Sequence, residues 1–500
     1  MTAALNRQTL PTGARIGASA PPTPGIVHLG LGQFHRAHAA VYTALAMAEE
    51  PGDWGIVGVA NRSRRTVDGL RAQDNLYSVL ELAPGSERAS VVDVHRGLLV
   101  ASEQGGEVVK AIAAPTTKIV TLTITEGGYH SDAAGLLDTA DPAIVADIAG
   151  LVQQIPGGAG DAKTPLGLLA AGLVRRWQQG GVPVSVLSCD NMLAAGHTTH
   201  DRLVQFLTAA QGPADLLDWV GKSVSFPNAM VDRIVPGTTD ATRDAVERVL
   251  GVRDEVPVPA EKFTMWVLED DFAAGRPAWE KAGAIFTDEV NKYEFIKLRL
   301  LNGCYSLLAN LGVLAGEATN PAAITTDYIA ACVHAAQEDE YLPTLELPRG
   351  FDARAYMDEL FERWANTALG DATWRVATDS SMKLAQRIVV PANYHLERGV
   401  VPQQLALTTA AWICVACPPT GFDPGEVAKL VVEPKAAAMA AAAAGAADAR
   451  DHALRVMHGG ILPDALTRWD VFNERVADFV EAIVKSGVKA ASLEALASRS

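Results

Sequence analysis

Short apolar runs separated by helical stretches fill the first 290 or so residues. Residues 26–29 (Ile-Val-His-Leu) form the first run, which ends on Gly30-Leu31-Gly32. Residues 37–50 read as a helix, and residues 55–59 as a second strand. Residues 76–82 and 90–94 have the look of further strands, and the β-branched run 118–125 (Lys-Ile-Val-Thr-Leu-Thr-Ile-Thr) is the strongest strand of all. A helix over 166–179 is closed by Gly180 and Gly181 and leads into a strand over 182–189. Strands alternating with helices predict an α/β fold on a parallel sheet.

The pattern changes near residue 290. Helical periodicity then dominates, with candidate helices at 293–312, 326–339, 353–368, 403–417 and 469–487. The alanine tract 434–449, interrupted by Gly445, is predicted helical because alanine has the highest helix propensity. There is no internal repeat of about 20 to 50 residues. The expected organisation is an α/β domain over residues 1–288 and a mostly α-helical domain over 289–500.

Composition narrows the function. Apolar residues make up 49% and charged residues 20%, as in a globular chain. The formal net charge of −16 argues against nucleic acid and against an anionic membrane surface. No apolar run reaches the roughly 18 residues needed to span a bilayer. The first 25 residues carry two arginines, four prolines and no apolar secretion core. Five scattered cysteines (Cys189, Cys304, Cys332, Cys414 and Cys417) fit a reducing cytosol, so a soluble cytoplasmic protein is expected. Cys414 and Cys417 lack a second ligand pair and lie in an apolar stretch, which reads as core. No metal cluster is evident.

Gly30-Leu31-Gly32-Gln33-Phe34-His35 sits between the first strand and the first helix, the setting in which backbone N–H groups meet a dinucleotide pyrophosphate. The third glycine position is His35, so the fingerprint is incomplete. After the second strand runs Asn61-Arg62-Ser63-Arg64-Arg65, with no carboxylate before Asp68. Arginines there suit a 2′-phosphate, which leaves NADP or dual use open beside NAD; a solvated loop is the alternative.

The helix from Tyr293 carries the candidate chemistry. At about 100° per residue, Lys297, Tyr305 and Asn302 fall at roughly 0°, 80° and 140°, on one side of the helix. A desolvated lysine can act as a base near neutral pH, and an amide beside it can hold a substrate oxygen. An amphipathic helix without chemistry has the same spacing.

Several stretches resemble the mannitol dehydrogenase family, the polyol-specific long-chain dehydrogenases and reductases. They are 30–38 (Gly-Leu-Gly-Gln-Phe-His-Arg-Ala-His), 123–129 (Thr-Ile-Thr-Glu-Gly-Gly-Tyr), 188–191 (Ser-Cys-Asp-Asn), 225–233, 266–272, 275–280 and 297–303 (Lys-Leu-Arg-Leu-Leu-Asn-Gly). The likeness is collinear from about residue 25 to about residue 400. It implies a Rossmann-type domain, a helical domain, and interconversion of secondary alcohols and ketones of linear sugars without a catalytic metal.

By this resemblance Lys297 is the general acid/base, while Asn191 and Asn302 bind the reacting oxygen. Asp232, Arg375 and Lys383 contact substrate hydroxyls. Glu294 gates proton passage from Lys297, although a carboxylate three residues before a lysine is also an ordinary helical ion pair. Tyr305 stands where the family has a histidine. Gly30, Gly32, Gln33, Phe34, Arg62, Arg64, Glu126 and Asn191 fall to the cofactor, NAD or NADP. The expected substrate pair is D-mannitol/D-fructose, then fructuronate/mannonate or arabinitol, and a monomer is expected. The rival is a nucleotide-binding protein disabled at Tyr305.

Overall fold

The strands of the N-terminal half are, in chain order, β1 (Pro24–Leu29), β2 (Gly55–Ala60), β3 (Tyr77–Ala83), β4 (Ser86–Val92), β5 (His95–Val100), β6 (Ile119–Leu122), β7 (Val184–Ser188), β8 (Val224–Ser225), β9 (Ala229–Asp232), β10 (Val258–Glu261), β11 (Met265–Leu268) and β12 (Ile285–Phe286). Six of them form a parallel sheet in the order β5-β2-β1-β6-β7-β8. The computed structural model describes residues 2–21, 23–132, 134–157 and 161–498. The chain divides into two compact units, Met1–Asn291 and Lys292–Ser500.

Both faces of the six-stranded sheet are buried, and alternate residues feed two separate cores. Ile26, Ile56, Ile119 and Leu187 enter one core, with helices Ala39–Glu49 and Arg64–Ala72. Val27, Leu29, Val59, Val120, Leu122, Val184 and Val186 enter the other, under helices Ala101–Ala113, Pro165–Gln178 and Ala195–Ala209. Strand order runs outward from β1 to β5, then returns to β6 on the other side of β1, so the order reverses between β1 and β6. Such a reversal opens a crevice at the carboxyl ends of the strands.

The structure departs from the expected elements in definite ways. β3 and β4 do not join the parallel sheet; they pair antiparallel and form a second sheet with β10. β9, β11 and β12 form a third. The run expected to end at residue 94 leaves the strand at Asp93, whose buried carboxylate binds Arg7, Ser19 and Arg96 and turns the chain into β5. β6 stops at Leu122 rather than 125, because Thr125 adopts φ +63 and the Ile124 and Thr125 N–H groups donate to Asp190 (3.2 and 2.8 Å). The helix expected over 37–50 breaks at His38 into Gln33–Ala37 and Ala39–Glu49.

In the C-terminal unit, Cys304–Leu314 and Gln403–Ala416 are buried on nearly every side, as core helices are. All five cysteines are free and buried. The alanine tract is helical over Ala436–Ala442 and has ended before Gly445, which takes φ +72. The helix expected over 326–339 is Asp327–Ala335 followed by the π-helical Ala336–Tyr341. The one expected over 353–368 ends at Trp364, where the Thr367–Leu369 turn takes over. No helix among the described residues is long and apolar enough to cross a membrane.

Three histidines underlie the first turn of the parallel sheet. His28 Nε2 donates to the Gly30 carbonyl (3.0 Å), and Nδ1 accepts from the Thr121 hydroxyl (2.8 Å). The His28 ring stacks on His35 with centroids 3.4 Å apart, and His35 Nε2 lies 3.2 Å from His95 Nε2. Burial pushes His28 and His95 down to about 3 and His35 well below the ordinary histidine value. As pH falls below about 6.5 the unfolded chain protonates these side chains and the folded one does not. Stability present above pH 6.5 should therefore be lost as pH falls below it, at about 1.4 kcal/mol per pH unit for each histidine that stays neutral, down to about pH 3 for His28 and His95. Thermal unfolding followed from pH 7.5 to 4.5 should show a steep fall in Tm that flattens in His95→Phe. A slope identical in the variant would contradict this account.

Candidate functional site

The carboxyl edge of the parallel sheet gathers the residues expected to hold a dinucleotide. Gly30, Gly32, Gln33 and Phe34 follow β1; Arg62 and Arg64 follow β2; Glu126 follows β6; Asn191 follows β7. The turn after β1 is tied to its neighbour, since the Gly30 and Leu31 N–H groups both donate to the Val59 carbonyl at 2.9 Å. Gly30 has φ +105, and a Cβ there would lie 2.0 Å from the Thr123 carbonyl oxygen, so the protein itself requires this glycine. Gly32 has an ordinary φ of −103, and a Cβ there would meet only the Gly30 carbonyl oxygen at 3.6 Å. Nothing among the described residues demands a glycine at 32, whereas a pyrophosphate lying against the backbone would. No side chain caps the helix that starts at Gln33.

The other residues at this edge differ in how far the protein engages them. The Gln33 amide is held by the 236–238 loop, donating to the Pro236 carbonyl (3.1 Å) and accepting from the Thr238 N–H (2.9 Å). Phe34 stacks on His38 with centroids 5.0 Å apart. Arg62, Glu126 and Asn191 are exposed. Arg64 is exposed and paired with Glu103 at 2.9 Å. Asp190 was given no role by the sequence reading, yet it organises this edge. Besides the two N–H bonds from the 124–125 loop, it accepts the Tyr129 hydroxyl at 2.8 Å. Its only sequence signal was a carboxylate within the Ser-Cys-Asp-Asn stretch. Asp232 is buried at the end of β9, in the third sheet, paired with Met265 of β11.

The second constellation lies on the helix after Asn291. It is not the regular α-helix expected over 293–312: Val290–Ile296 is α-helical, Lys297–Gly303 is π-helical, and α geometry resumes at Cys304. With i→i+5 bonding, residues five apart lie about one turn from each other instead of roughly 140° around the axis. This narrows the angle between Lys297 and Asn302 on the side of the helix that their spacing already gave them. Both are half-buried, and Glu294 is buried.

Tyr305, two residues past the π-turn, has its hydroxyl bonded to Asp371. Asn320 Nδ2 donates to the same Asp371 oxygen (3.1 Å) and to the Tyr305 oxygen (3.4 Å). The ring lies 5.9 Å from that of Trp364. Neither Asp371 nor Asn320 was foreseen, because each is remote in sequence and belongs to no periodic pattern.

Arg375 and Lys383 serve one segment differently. Arg375 projects from helix Thr373–Ala377, exposed and without an ion pair among the described residues. Lys383 Nζ donates to the Val376 (3.0 Å) and Thr378 carbonyls, closing the end of that helix, and burial lowers its pKa to about 8. No group of three or more potential metal ligands occurs among the described residues.

Comparison with known proteins identifies the family. The mannitol dehydrogenase Rossmann domain profile matches residues 24–281, and the mannitol dehydrogenase C-terminal domain profile matches residues 289–483. Mannitol 2-dehydrogenase of Cereibacter sphaeroides is 39% identical over 398 residues, 79% of this chain and 81% of its own length. D-mannonate oxidoreductase of Escherichia coli is 38% identical over 393 residues, 78% of this chain and 79% of its own. The structure of Pseudomonas fluorescens mannitol 2-dehydrogenase, a ternary complex with NAD and D-mannitol, superposes with a TM-score of 0.84 at 32% identity and covers 99% of both chains. With a parallel-sheet domain reversing at β1/β6, a helical domain and both profiles matched in order, this chain belongs to the mannitol dehydrogenase family of oxidoreductases.

Proposed function

We propose that the protein is an NAD-dependent polyol dehydrogenase whose substrate pair is D-mannitol and D-fructose. The observation that supports the reaction type is the π-helical turn Lys297–Gly303, which carries half-buried Lys297 and Asn302 together. NAD, when bound, supplies the acceptor for hydride. The chain's own residues handle the proton and the oxygen. Neutral Lys297 takes the hydroxyl proton, and the Asn302 amide donates to the oxygen as negative charge develops on it. Asn191 has the same amide role, and buried Glu294 passes the proton onward. Asp232, Arg375 and the remaining donor of Lys383 bind other hydroxyls. Tyr305 takes the histidine's place as a group held by Asp371.

Gly30, Gly32, Gln33, Phe34, Arg62, Arg64, Glu126 and Asn191 are the residues that would hold the dinucleotide. The space at Gly32 supports this. The Arg64–Glu103 pair favours NAD, because a 2′-phosphate would compete with a carboxylate already at 2.9 Å. The identity to a D-mannonate oxidoreductase supports a second reading, reduction of fructuronate to mannonate.

NADH and NADPH oxidation with fructose, xylulose, fructuronate and tagaturonate separates the readings; turnover of fructuronate alone overturns the mannitol reading. Binding of NADH without turnover of any of the four sugars would identify a disabled nucleotide binder. Lys297→Ala should lower kcat by about 10²- to 10⁴-fold while NADH binding by calorimetry is unchanged.

The two glycines should separate structure from binding. Gly30→Ala should cost about 2–5 kcal/mol in denaturant unfolding, from steric overlap and positive φ. Gly32→Ala should fold with near-wild-type stability and lose NADH affinity. Equal destabilisation by both would remove Gly32 from the cofactor site. Arg64→Asp should move the NADH/NADPH preference further towards NADH, and Glu103→Gln, which frees Arg64, should move it towards NADPH. A ratio unmoved by either variant would exclude this loop from reading the ribose.

A further inference from the structure

A helix that passes from i→i+4 to i→i+5 bonding hands each carbonyl to an N–H one residue further on. On returning to α geometry it leaves carbonyl capacity without an intrahelical donor. Lys297–Gly303 makes this passage at the head of a helix whose interior is buried. Three side chains supply donors there: the Ser306 hydroxyl, from the same helix, donates to the Asn302 carbonyl at 3.4 Å, and two more come from other elements. Gln337 Nε2 reaches the Leu300 carbonyl at 3.3 Å. Arg387 Nη1 reaches the Asn302 carbonyl at 3.0 Å and also donates to Ser306 Oγ at 2.8 Å.

These two donors come from separate elements. Gln337 is fully buried in the π-helical Ala336–Tyr341, and Arg387 ends helix Ser380–Arg387. A steric contact reinforces them: a Cβ on Gly303 would lie 2.5 Å from the Tyr341 ring and hydroxyl, so the tyrosine occupies the space a side chain would need. The wide turn is thus gripped from two sides by groups outside every motif that carries the chemistry.

Resting on the reading of Lys297 as acid/base and Asn302 as oxygen-binding amide, we infer that Gln337 and Arg387 are positioning residues. By bonding the Leu300 and Asn302 carbonyls they hold the π-turn open, and so keep Lys297 and Asn302 one turn apart on a common face. Neither has to touch the substrate.

The test uses the full-length protein with D-mannitol and NAD. Gln337→Met keeps the volume and removes the donor; Arg387→Lys keeps the charge and loses the planar fork; Arg387→Met loses both. Each should lower kcat by about tenfold to a hundredfold with little change in the KM for NAD. Each should also shift the limb of the kcat–pH profile that Lys297→Ala abolishes, and accelerate amide exchange across residues 297–305. A loss of activity proportional to the unfolded fraction, with the pH profile unmoved, would reduce both residues to scaffold and overturn the inference. A wild-type Arg387→Lys beside an impaired Arg387→Met would make the role electrostatic and overturn it equally. Full turnover in Lys297→Ala would instead break the functional reading. The exchange measurement still decides the positioning role in that case, since unchanged exchange at 297–305 in every variant overturns it.

Discussion

On the proposed reading, a helix that presents Lys297 and Asn302 to one oxygen faces a constraint of pitch. At 3.6 residues per turn, side chains five apart point roughly 140° away from each other. The Lys297–Gly303 segment meets the constraint by widening, and much of the C-terminal unit follows from that choice. The wide turn takes donors for its carbonyls from Gln337 and Arg387, beside the helix's own Ser306 hydroxyl. It needs a glycine where Tyr341 presses against it, and this is Gly303. It then needs a well-packed helix to restart from, and Cys304–Leu314 is buried on nearly every side. A π-turn in the middle of a helix is uncommon and clusters at functional sites, because it re-aims side chains without interrupting the element.

The N-terminal unit solves a different problem with the same economy. Its turn after β1 must keep open backbone at its tip, so the turn is fastened from behind. Val59 takes two of its N–H groups, while His28 and the Thr123 hydroxyl hold the Gly30 carbonyl. The next loop along, after β6, is fastened by Asp190 through two N–H groups and the Tyr129 hydroxyl. This clamp also accounts for Thr125, a β-branched residue at φ +63 that would not hold this conformation unaided.

How much of this was legible in the sequence follows from how local each cause is. β1, β2, β6 and β7 were readable because each is an apolar run buried on both faces. The glycine turn was readable because its meaning depends only on the elements beside it. β5 was missed because His95-Arg96-Gly97 breaks the apolar pattern, although His95 is buried against His35. β3 and β4 were legible as strands, but their separate sheet was not, since periodicity does not record partners. The π-turn was invisible because a helical reading assumes 100° per residue throughout. Tyr305 was found, but its bond to Asp371 spans 66 positions and no spacing rule reaches that far.

That bond also bears on the substrate. A relative of mannitol specificity and one of mannonate specificity are almost equally similar to this chain, at 39% and 38% identity, so the decision lies in a few side chains rather than in the fold. On the reading that Tyr305 faces the substrate, its O–H is directed to Asp371, and its oxygen offers a ligand only acceptance. A sugar hydroxyl can donate to it. An ionised carboxylate has no proton to donate and would also meet the negative charge of Asp371. Lys383 has two of its three donors on backbone carbonyls. Arg375 remains, and one guanidinium binds hydroxyls and carboxylates alike. The groups that discriminate therefore weigh against an acidic substrate, and the one that does not discriminate is neutral between the two. On the proposed reading of the site, the balance falls on the side of the polyol.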